Sequence, residues 1–237
     1  MQKIMFEHRR FGLEQAVIVG TKTMTRRRIH FPGIDDEDVS NPVMGIDKKG
    51  RVYFTFSVAT DQGTETVDVY PKYQIGEKVA IAQAYKNDDV LTYNAYNEDG
   101  TIRKGGAKLH REMLHSPGYR NKLFVRADLM PHVIEITDIK AERLQDISDE
   151  DCLKEGIIPV TWRQYPEPFS DHYVDHDLWT LEKYREQFED AWSDDDPEAW
   201  AATSPKAAFA VLIRKLQGKK AWERNEWQFV YTFKLIK

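Results

Sequence analysis

Between positions 227 and 236, large apolar side chains recur at every second residue: Trp227, Phe229, Tyr231, Phe233 and Leu235. A period of two marks a strand with one buried face and excludes an amphipathic helix over this stretch. Such a strand needs a sheet to join and a core to face. Other segments supply partners. Residues 51–58 alternate and follow the turn Asp47-Lys48-Lys49-Gly50, so they read as the second arm of a hairpin. Residues 64–70 read as a strand, and residues 76–85 as a strand introduced by a Gly turn. Residues 122–144 predict two strands, at 123–125 and 133–139, separated by Met130-Pro131.

Helices are fewer. Residues 11–19 carry apolar Leu13, Ala16, Val17 and Val19 and stop at Gly20. Ser148 with an acid three residues on resembles a capping box and predicts a short helix ending at Gly156. Thr180 is expected to cap a longer helix reaching about Trp192. Ser204-Pro205 starts another that stops at Gly218. No regular strand–helix alternation and no Gly-rich phosphate fingerprint is present. The class is therefore α+β, with short strands that suit a small twisted β-barrel better than a doubly wound sheet.

No repeat or linker divides the 237 residues, so the expectation is one domain over 1–237. Within it, 31–72, 86–121 and 157–224 read as long insertions. The single Cys152 excludes an internal disulfide framework or a multi-Cys metal site and reads as core. No apolar run nears the roughly 20 residues of a membrane span. The first residues lack the apolar stretch of a signal peptide. The expectation is a cytoplasmic protein with no membrane partner.

Charge is unevenly spread. The total is −5, yet residues 1–30 hold seven Lys and Arg against two Glu, and residues 186–198 hold seven acids and no base. Local potential decides what approaches a surface. The densest cluster is Gly20-Thr21-Lys22-Thr23-Met24-Thr25-Arg26-Arg27-Arg28. Guanidinium and ammonium groups suit phosphate, and Thr hydroxyls add hydrogen bonds. If extended, Lys22, Met24 and Arg26 face one way and Thr23, Thr25 and Arg27 the other. The alternatives are a solvated basic loop or internal ion pairs. Asp171-His172 and Asp175-His176-Asp177 place two His four apart, which ligates a metal only if helical; nearby Pro166 and Pro168 favour a loop, so no metal is assigned. Tyr93 and Tyr96 suit base stacking or an edge strand.

The segment 20–27 resembles the G-x-K-T-x-T-x-R signature of ASCH domains, PUA-like β-barrels related to RNA-binding modules. Residues 73–79 resemble the family's Y-x-x-G-D-x-hydrophobic strand start. Residues 136–156 resemble its strand-plus-helix segment, and 225–236 its closing aromatic strand. The likeness is greatest to the long ASCH-like proteins of phages and prophages. It implies a PUA-like barrel with peripheral helices that binds RNA, a nucleoside or a modified base, with no cofactor. Thr23, Arg26, Arg27, Arg28, Gln83 and Tyr85 would then contact the ligand. Long members often carry Glu and Trp where this chain has Gln83 and Tyr85. A smaller branch hydrolyses acetylcytidine with a Lys, a Thr and a Glu, a pattern that falls on Lys22, Thr25 and Glu155. An amidohydrolase with a Thr25 nucleophile and Lys22 base is therefore the alternative function. A structural or partner-binding protein of a mobile element is a further alternative, as is a plain Lys22–Glu155 ion pair.

Overall fold

The computed structural model describes residues 1–164, 174–184 and 201–237. The strands are β1 (Gln2–Ile4), β2 (Met24–Arg28), β3 (Val39–Ile46), β4 (Val52–Thr60), β5 (Gly63–Val69), β6 (Lys78–Ile81), β7 (Val133–Arg143), β8 (Ile157–Gln164), β9 (Val174–Leu181) and β10 (Trp227–Leu235). The helices are α1 (Leu13–Ile18), α2 (Asp88–Ala95), α3 (Gly106–Leu114), α4 (Asp149–Lys154) and α5 (Pro205–Gln217). The class is mixed α+β.

Five strands form one sheet in the order β1-β6-β7-β10-β2. β1 pairs with β6 in parallel, and the other ladders are antiparallel. The closing strand β10 lies inside this sheet, between β7 and β2. That explains why its burial exceeds a simple alternation. Trp227, Phe229, Tyr231 and Phe233 are buried as expected, but Gln228 and Val230 on the other face are buried too. A bulge between Thr232 and Phe233 interrupts its pairing with β7, and Leu235 is exposed.

β3, β4 and β5 form a separate antiparallel sheet. Its buried residues Phe54 and Phe56 meet Phe229 and Trp227 at 5.6 and 5.4 Å between ring centres. The insertion at 31–72 is thus fastened to β10 by aromatic packing rather than by a ladder. Arg143 reinforces it, donating to the carbonyls of Asp36 and Val39 at 2.7 and 2.9 Å. β8 and β9 form a two-stranded sheet, and α5 packs against α4 and β8.

Among the described residues no ladder joins β1 to β2, so the sheet does not close into a barrel. Its two edges nevertheless approach: the Arg27 guanidinium donates to the Met5 carbonyl at 2.8 Å. A side chain, not a strand pair, spans the seam.

Several expectations are corrected. Residues 123–125 do not form a strand: Lys122–Phe124 is a 3-10 turn, started by Asn121, whose side chain accepts from Leu123 N at 2.9 Å. Thr180 is no helix cap, because it lies in β9 paired with Ile158; of the predicted helix, Leu181 ends β9 and Glu182–Tyr184 form a 3-10 turn, while the remainder from 185 on, and the acidic run 186–198, lie outside the described residues. The strand at 76–85 stops at Ile81. His176 lies in β9, so helical spacing does not relate it to His172, which lies outside the described residues. Tyr93 sits on α2, not an edge strand, with the Lys237 ammonium over its ring.

The insertion 86–121 is not merely polar. It folds α2 and α3 around a second apolar cluster that includes Tyr85, Val90, Met113 and Met130. Gly106 allows the two helices to meet, since a Cβ there would sit 2.5 Å from the Ala95 carbonyl oxygen. Gly106→Ala is expected to destabilise the protein by about 1–3 kcal/mol, as overpacking does. Thermal melting followed by circular dichroism checks this; an unchanged midpoint would refute the tight approach.

Candidate functional site

The basic segment forms β2, an edge strand of the five-stranded sheet. Its register sets which side chains share a face. Thr25 pairs with Tyr231 and Arg27 with Phe229, whereas Arg26 pairs with Val230 on the opposite face. Within β2 the expected alternation holds for Met24 to Arg27, whereas Lys22 and Thr23 precede the strand. Because β2 is an edge, residues from both faces reach the space beside it.

That space is a cavity of about 240 Å3. Lys22, Thr25, Arg26, Arg27 and Glu155 all line it. Its apolar wall comes from Phe6 and from α5, through Phe209, Leu212 and Ile213. Glu155 arrives from the end of α4. Ser148 caps that helix by accepting from Asp151 N at 3.1 Å. Gly156, at φ +99°, turns the chain back toward Lys22; a Cβ on Gly156 would lie 3.5 Å from the Lys22 Cβ.

An ion network occupies one side of the cavity. Lys22 donates to a Glu155 carboxylate oxygen and to its backbone carbonyl, the latter at 2.9 Å. Arg26 reaches the other Glu155 oxygen at 2.8 Å and Glu142 at 2.5 Å. Lys140 bonds Asp151 and Glu142 at 2.6 and 2.8 Å. The Arg26 guanidinium also sits 5.5 Å from the centre of the Phe209 ring, and its Nε is buried with no hydrogen-bond partner.

Burial lowers the Lys22 pKa; Glu155 opposes this, while Arg27 and Arg26 push the same way as burial. For Arg26 burial also acts downward, but Glu155 and Glu142 outweigh it and raise the pKa. Asp151 would be raised by burial, yet Lys140, Arg26 and Lys154 hold it below its ordinary 3.8. A carboxylate depressed in the folded state stabilises fully above its unfolded pKa and loses that contribution as pH falls through the folded value. Asp151→Asn is therefore expected to flatten the stability profile below about pH 4. Urea unfolding across acid pH tests this; parallel profiles for both proteins would count against it.

The other site residues divide. Arg26 is paired with Glu155 and Glu142, so its charge is met inside the protein and only its Nε lacks a partner. Arg28 is half-exposed and paired with Glu226 at 3.1 Å. Arg27 alone of the three consecutive arginines has no carboxylate partner among the described residues, and its polar contact is the Met5 carbonyl. Thr23 is tied by its backbone, donating to Lys154 O and accepting from Phe233 N at 2.8 and 2.9 Å. Gln83 and Tyr85 do not line the cavity. Gln83 is 2 % exposed with its Oε1 unpartnered, and Tyr85 accepts from Arg126 N at 2.8 Å beside α2 and α3. Cys152 is fully buried in the core, and burial pushes its thiol up to about 12.

Sequence reasoning missed Glu142, Asp151 and Lys140, and the α5 wall. The 3–4 spacing of Ala208, Phe209, Leu212 and Ile213 carried the signal for the wall. Among the described residues no group of three or more His, Cys, Asp or Glu is placed to hold a metal, and no helix is long and apolar enough to cross a membrane. No family model matches the chain, and no curated protein or solved structure matches it either.

Proposed function

We propose that the chain is a PUA-like protein of the ASCH type whose cavity beside β2 receives a nucleobase, free or carried by a nucleic acid. The observation supporting this is the gathering of Lys22, Thr25, Arg27 and Glu155 around one small space with an apolar wall. Its volume falls below the roughly 300–1,000 Å3 of common ligand pockets, which suits one base or nucleoside. The apolar wall takes the flat ring, and the polar side takes its edges. Arg27, lacking a carboxylate partner, is the cation available to a phosphate.

Calorimetric titration with cytidine and with single-stranded oligonucleotides tests this. Micromolar binding of the strands that weakens as salt rises is the expected result. Absence of binding to every nucleoside and strand tried would sink it, and strand binding insensitive to salt would remove the phosphate contact assigned to Arg27.

A second reading, hydrolysis of an acylated base, is favoured by one observation: Lys22, Thr25 and Glu155 line the same cavity. The Thr25 hydroxyl is the nucleophile, Lys22 its base, and Glu155 the group that positions Lys22. Release of acetate from acetylcytidine measures it.

A further inference from the structure

A second, larger cavity of about 590 Å3 opens along the seam between β1 and β2. Its cationic lining is Lys3, Arg27, Arg28 and Lys72, with His30 beside them, and no Asp or Glu lines it. Tyr73, Phe229 and Tyr231 make a buried floor, while Tyr70, 42 % exposed, forms an accessible aromatic wall. Arg27 and Met5 line both this cavity and the smaller one, so they are the partition between them.

Of these cations only Arg28 has a carboxylate partner among the described residues, Glu226 at 3.1 Å. Arg27 and Lys72 have no carboxylate within ion-pair distance among the described residues. Lys3 is anchored by the carbonyls of Leu123 and Val125, both at 2.6 Å, which fix its place without neutralising it. Burial lowers the Lys3 pKa, and the charge of Lys72 lowers it further. Two ammonium groups that repel each other across an aromatic-floored groove are relieved by an anion between them. Tyr70 and Lys72 come from the end of the 31–72 insertion, so that insertion builds one wall of the groove.

We infer that this seam binds the phosphate-and-base run of a single-stranded nucleic acid, adjoining the base held in the smaller cavity. The inference rests on the base-pocket reading and narrows it: the ligand is a polymer strand rather than a free nucleoside. Lys72 and Lys3 meet a phosphate, and Tyr70 meets a neighbouring base or sugar. Arg27 holds the phosphate that joins the two sites.

The test compares cytidine with an oligouridylate and an oligothymidylate of about ten nucleotides, a span that single-strand sites commonly cover. Wild-type protein should bind at least one strand more tightly than cytidine. Lys72→Ala should weaken that strand about tenfold and make the log–log salt slope shallower by about 0.7. Tyr70→Ala should weaken it at least about fivefold. Both side chains are exposed at the groove, so unchanged melting temperatures separate these losses from misfolding. Cytidine affinity should be unaffected by either change. Strand affinity unchanged in both variants overturns the inference. Cytidine bound as tightly as the strands overturns it while the base-pocket reading stands. Lys72-dependent strand binding without cytidine uptake supports the seam and removes the pocket reading.

Discussion

Replacing Glu155 with alanine is expected to lower the unfolding free energy by about 3–5 kcal/mol, the usual cost of removing one partner from a buried ion pair. Its carboxylate serves two cations that are almost wholly out of water, Lys22 and Arg26. The two are not equally exposed to its loss. Arg26 retains Glu142 at 2.5 Å and Asp151 at 3.6 Å. Lys22 retains only the Glu155 backbone carbonyl, which cannot neutralise it. The lowered Lys22 pKa offers a partial escape, since a buried ammonium can give up its proton. Glu155→Gln should cost less, because the amide keeps the shape and still accepts a hydrogen bond. A double-mutant cycle of Lys22→Ala with Glu155→Ala separates coupling from packing: the double variant should lose clearly less than the two single losses added together. Urea unfolding supplies all four values. Strict additivity would show that the pair does not couple.

Elements whose signal is local were the ones legible in the sequence. Ser148 and Ser204 cap their helices as expected, accepting from Asp151 N and Ala207 N at 3.1 and 3.2 Å, because a cap depends on three or four neighbouring residues. The hairpin at 47–50 and the closing strand were legible for the same reason. Leu123-Phe124-Val125 misled because three apolar residues carry no period, and the Asn121 side chain imposed a turn. Thr180 misled because a hydroxyl before a polar run suits a strand end as well as a cap. Burial of Arg26 was not legible either. Three adjacent arginines look alike in sequence, and only the approach of β7 and α4 decides that one is enclosed, one half-exposed and one left without a carboxylate. The site triad lay within readable segments, but its convergence depends on Gly156 turning α4 back onto Lys22, a contact 133 residues apart in the chain.

Thr25→Ala is expected to abolish hydrolysis of acetylcytidine, lowering kcat by about 10⁴-fold or more, the scale of loss when a covalent nucleophile is removed. In this reading the Thr25 oxygen attacks the amide carbonyl and its proton passes to neutral Lys22. The tetrahedral adduct then expels the cytosine amine, which takes up that proton, leaving the acetyl group as an ester on Thr25. Water cleaves the ester, releasing acetate and returning the hydroxyl proton. The base must be unprotonated to act, and burial with the nearby Arg27 and Arg26 charges lowers the Lys22 pKa in that direction. The rate should therefore rise with pH through the Lys22 pKa and then level. Glu155 works against that lowering, so its role is to hold Nζ in place. Glu155→Gln should shift the rising limb to lower pH as well as slow the reaction; a limb that stays where it was would show that Lys22 is not the titrating base. Thr25→Ser keeps the hydroxyl and should retain measurable turnover. Acetate release from wild type no faster than from Thr25→Ala would remove this reaction from consideration, while leaving base binding in the same cavity intact.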